Sequence, residues 1–86
     1  MDINKGETYD IITTNALTSK LDADGYSVRE TRTERVTVRQ VRRYKTGRVA
    51  VQVAFESHWA TYSLQGATVV NGSIRVSDRI TFVRVN

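Results

Sequence analysis

At 86 residues and 9.7 kDa the chain has the size of one small domain, which buries about 60–65% of its unfolded surface and leaves no room for a second. Hydrophobic residues at 40% and charged residues at 26% are ordinary globular values, while the absence of cysteine and the single histidine exclude a disulfide framework, a thiolate nucleophile and any Cys-based or two-histidine metal site. The net charge of +4 is uneven: residues 1–27 carry −3, residues 28–48 carry +6 and residues 49–86 carry +1, so the positive field is concentrated in the middle of the chain.

No apolar run approaches the roughly 18 residues needed to cross a bilayer, and Met1-Asp2-Ile3-Asn4 starts no signal peptide. A cytoplasmic address without membrane attachment is expected. Twelve Val, five Ile and eleven Thr against three Leu and no Pro favour half-buried pleated strands. The first segment is the exception, because Tyr9, Ile12, Ala16, Leu17 and Leu21 recur at spacings of three and four before Asp24-Gly25. That spacing predicts a helix from about Thr8 to Ala23. The β-branched run Ile11-Ile12-Thr13-Thr14 opposes it, and a strand over 8–14 followed by a short helix over 15–22 also fits.

From Tyr26 the period is two. Arg29-Glu30-Thr31-Arg32-Thr33-Glu34-Arg35 holds no apolar residue and is expected to project into solvent, with Glu30 and Glu34 as salt-bridge partners of the neighbouring arginines. Val36 and Val38 then share a face, Val41 falls out of phase, and a bulge or bend near Gln40 follows. Lys45-Thr46-Gly47 reads as a hairpin connection, Val49 to Phe55 as the most regular strand, and Ala60 to Leu64 as a continuation of the sheet. Val70-Asn71-Gly72-Ser73 is a two-residue hairpin leading to Ile74 and Val76, and a last strand runs over 79–86. These elements predict an α+β fold, one N-terminal helix on a bent antiparallel sheet of four or five strands. A small closed barrel of the OB or SH3-like kind is the alternative if Tyr9 to Thr13 is a strand.

The candidate binding residues are basic and aromatic. Arg29, Arg32, Arg35, Arg39, Arg42, Arg43, Lys45 and Arg48 supply phosphate-pairing charge, and with ten Arg against three Lys bidentate pairing is favoured. Tyr44 and Tyr62 are the expected stacking rings, whereas Trp59 and Phe55 are expected in the core. Asp22-Ala23-Asp24-Gly25 has the opening of a calcium loop but lacks its ligand spacing and its closing Glu. His58 has no nucleophile or acid near it in sequence, and the five glycines are too scattered to cradle a phosphate. Ile80 and Phe82 point to one side of the last strand, Val83 and Val85 to the other, which predicts a homo-oligomer contact there.

The sequence therefore predicts a non-enzymatic protein without metal or cofactor that contacts nucleic-acid phosphates with little sequence preference. The alternative is a structural or interaction protein, such as a virion-associated subunit or a small inhibitor of a host nucleic-acid enzyme, that sets the same arginines on an acidic protein surface.

Overall fold

Residues 2–85 are described by a computed structural model in which every regular element is a strand. These are β1 (Thr8–Leu21), β2 (Ser27–Arg43), β3 (Val49–Ala54), β4 (Trp59–Ser63), β5 (Thr68–Val70), β6 (Ser73–Arg75) and β7 (Ile80–Val85). They form one antiparallel sheet in the order β4-β3-β2-β1-β7-β6-β5, curled into a half-barrel. The predicted N-terminal helix is absent, and with it the α+β class. A closed OB- or SH3-like barrel is not formed either: β4 and β5 end the strand order and, among the described residues, have no ladder between them.

Why Thr8–Leu21 is extended follows from its own residues. Four consecutive β-branched side chains at 11–14 are stiff at χ1 and suit a pleated strand, and Tyr9 and Ile11 alternate inward, each 2% exposed. Asn15 then adopts a left-handed φ of 56° and the pairing with β2 slips between Thr13 and Ala16. This bulge reverses the phase, so Ala16 is buried although it is even-numbered. An interrupted two-residue period of this kind mimics a spacing of three and four. Leu17 and Leu21, assigned to the apolar face of a helix, are 57% and 66% exposed.

The concave face holds the core: Tyr9, Ile11, Val36, Val38, Val51, Val53, Leu64, Ile74 and Phe82, joined by Ile3 from the leading segment. Full burial of such a side chain contributes about 1.5–3 kcal/mol relative to exposure. The leading segment is fastened by backbone bonds of Gly6 and Glu7 with Val38 and by the Arg43 guanidinium, which donates to the Ile3 carbonyl at 2.8 Å. A second bulge leaves Arg39 between the Val38↔Val53 and Gln40↔Gln52 pairs and bends β2 near the expected place. The Asn71-Gly72 turn has φ of 52° and 80°, the left-handed pair that a two-residue hairpin requires.

β7 pairs with β1 only over Thr8–Thr13, and β3 pairs with β2 only from Thr37 onward. Between these limits β1 and β2 have only each other and extend as a two-stranded arm, giving the molecule dimensions of 49 × 25 × 23 Å. At the tip, Asp22 Oδ1 accepts the backbone N–H groups of Asp24 and Tyr26 at 2.9 and 3.0 Å. Asp22 thus closes a turn. At the root, Arg79 donates to the Thr14 and Asn15 carbonyls at 3.4 and 2.7 Å, and Arg29 to Asn15 at 3.1 Å.

Candidate functional site

The predicted basic set separates into two groups. Four arginines are engaged within the chain: Arg29 on the Asn15 carbonyl, Arg32 on Glu34 at 3.1 Å, Arg35 on both Asp10 oxygens at 3.0 and 3.3 Å, and Arg43 on Ile3. The Arg35 hydrogen bonds hold the Asp10 carboxyl below the usual carboxylate range. The Arg29, Arg35 and Arg43 contacts tie β2 to β1 and to the leading segment, whereas the Arg32–Glu34 pair lies within β2 and is open to solvent. Of the remaining residues, Arg39, Arg42, Tyr44 and Arg48 lie on the outer face near the β2–β3 hairpin, and Lys45 is exposed in the turn between the two strands.

Cross-strand partners share a face of the sheet, and the register therefore builds this surface row by row. Gln40, Gln52 and Thr61 form one row across β2, β3 and β4. Arg42, Ala50 and Ser63 form the next, and Thr37, Ala54 and Trp59 lie on the other side. Gln40, Arg42, Tyr44, Ala50, Gln52 and Thr61 line a shallow cleft of about 270 Å³. An adjoining hollow is lined by Lys5, Arg39, Arg43 and the same two glutamines, among others. Neither lining contains a carboxylate.

Two cation-covered rings bound the face. Trp59, on the edge strand, is 62% exposed with the Arg39 guanidinium carbon 3.5 Å above its ring centroid. Tyr44 is 45% exposed, and Arg48 lies 5.5 Å from its centroid. Six strand positions separate Ala54, the partner of Trp59, from Arg48, the partner of Tyr44, about 20 Å at the usual strand rise. Arg39 Nη1 is shielded from solvent without a hydrogen-bond partner, so a donor is already in place beside the indole.

The two aromatic assignments made from sequence are reversed. Tyr62 lies inside, its ring edge-on to Phe82 at 5.3 Å, and burial, reinforced by the nearby Glu34 charge, pushes its phenol above the usual tyrosine value. Trp59 lies outside. The signal was present in β4, where Trp59 shares its phase with Thr61 and Ser63 while Tyr62 shares its phase with Ala60 and Leu64. Phe55 is half-buried and stacks on His58 at 4.5 Å. Of the predicted oligomer contact, Phe82 is fully buried in the core and Ile80 packs against it, whereas Val83 and Val85 lie half-buried.

Among the described residues, no group of three His, Cys, Asp or Glu side chains can hold a metal ion, and no helix is long and apolar enough to cross a membrane. Comparison with protein-family models, curated proteins and solved structures finds no match to this chain.

Proposed function

We propose that the protein binds single-stranded nucleic acid on the outer face of β2, β3 and β4, with little sequence preference. The observation that carries this reading is the exposed Trp59 with Arg39 upon it, set at one end of a carboxylate-free cleft that Tyr44 and Arg48 bound at the other. Binders of single strands combine a basic groove with rings on which bases stack, each stack worth about 1–3 kcal/mol. Trp59 and Tyr44 supply the rings, Lys5, Arg42, Lys45 and Arg48 the phosphate contacts, and Gln40 and Gln52 amides that pair with base edges of either polarity. A duplex hides the base faces that an exposed indole recognises, which favours the unpaired strand.

Titration of a labelled oligonucleotide at several salt concentrations tests the proposal. Four phosphate contacts give a log–log slope of roughly −3, since each contributes about −0.7 on a single strand. Arg42→Ser should reduce the slope by about 0.7. Absence of binding at low salt would refute the proposal and shift these cations to the alternative role on an acidic protein surface.

A further inference from the structure

The arm plays no part in the surface just described, and its own chemistry points elsewhere. It is a two-stranded ribbon, an arrangement marginally stable in water by itself, and it carries Leu17, Leu21 and Tyr26 at 57%, 66% and 73% exposure. On the side away from β1, the edge of β2 from Ser27 to Arg35 is unpaired, because the ladder to β3 begins at Thr37. Unpaired edges of this length recruit further strands unless charge or curvature prevents it.

We propose that this edge pairs antiparallel with the same edge of a second copy, about a two-fold axis at Thr31. The charge sequence selects both the occupant and the register. A two-fold axis normal to the sheet keeps every side chain on its own face, so the allowed registers are those that set one residue opposite itself. With Thr31 opposite itself, Glu30 faces Arg32 of the partner subunit and Arg32 faces Glu30 of the partner subunit, so the axis yields two opposite-charge pairs. Moving the axis by one residue places Arg32 on Arg32 and Glu30 on Glu34, or Glu30 on Glu30, all like-charged and unfavourable when directly opposed. Centring on Thr33 matches Arg32 with Glu34 but extends the ladder to Thr37, which already pairs with Ala54 of β3. Only the Thr31 register both matches charge and stays within the free edge. Glu30 is exposed and, among the described residues, has no ion pair within its own chain. An isologous contact of this kind closes as a dimer.

Sedimentation of the full chain and of its Glu30→Arg and Arg32→Glu variants tests the proposal. The wild type should sediment at twice its 9.7 kDa mass. Each variant alone faces like charges across the axis and should dissociate about tenfold more readily or worse. An equimolar mixture should regain the dimer, because at these two positions one variant carries only arginine and the other only glutamate, so both pairs across the axis are again of opposite charge. A variant that had merely lost its fold could not be rescued in this way. A monomeric wild type, variants that dimerise as the wild type does, or a mixture that stays monomeric would each overturn the proposal.

Discussion

At the scale of single residues, burial separates positions that the composition treats alike. Phe82 is fully buried between Tyr9, at 6.0 Å, and Tyr62, so Phe82→Ala should cost about 3–5 kcal/mol. That is close to the whole stability of a domain this small. Trp59→Ala should change stability by no more than about 1 kcal/mol, since the ring is mostly exposed, yet it should weaken oligonucleotide binding by about 1–3 kcal/mol. Urea melts beside binding titrations distinguish the two effects. Tyr9 and Tyr62 make a pH prediction. Burial raises both phenols, with Glu7 adding to Tyr9 and Glu34 to Tyr62, so the folded protein favours their neutral forms. Their contribution is complete below the ordinary tyrosine value of about 10 and is lost as pH rises through the higher folded values. Melting temperature should therefore fall above about pH 10, and less so in Tyr62→Phe, which keeps the ring on Phe82 and removes the ionisable group.

At the scale of elements, the sequence was legible wherever alternation ran uninterrupted. Val49, Val51 and Val53 alternate with Ala50, Gln52 and Ala54 along β3, Asn71-Gly72 marks its turn by backbone preference, and the bend at Arg39 is visible as the phase slip between Val38 and Val41. β1 was illegible because the Asn15 bulge inserts one residue into its period, and because its outer half, Leu17 to Leu21, has no core beneath it to impose a pattern. Of the candidate site, Arg39, Arg42, Lys45 and Arg48 could be found from local charge, and Tyr44 as the aromatic residue among them. Which arginines are already engaged could not: Arg35 meets Asp10 across 25 residues and Arg43 meets Ile3 across 40. Such pairings are set by strand order. The exposed Trp59 is concealed when residue type is given more weight than phase.

At the scale of the whole molecule, the first and last strands pair with each other, Thr8 opposite Val85, and residues of β1–β4, β6 and β7 share one core, while β5 is exposed along its length. The two proposed surfaces are separate: the arm reaches away from the body, while the Trp59 face lies on the outer side of β2–β4. Their independence is physical, because Glu30 and Arg32 lie where β2 has no β3 neighbour, whereas Gln40 and Arg42 lie where it does. A dimer through the arms would carry two such faces, and binding to one long strand would then gain from effective concentration without any new contact. Trp59 is the sole tryptophan, so its emission reports directly on the face on which this account rests. Titrating the wild-type protein at low salt with a short unlabelled oligothymidylate should quench that emission to saturation, and added salt should restore it. Binding detected by another probe while Trp59 emission stays unchanged, or no quenching at any oligonucleotide concentration, would contradict the account.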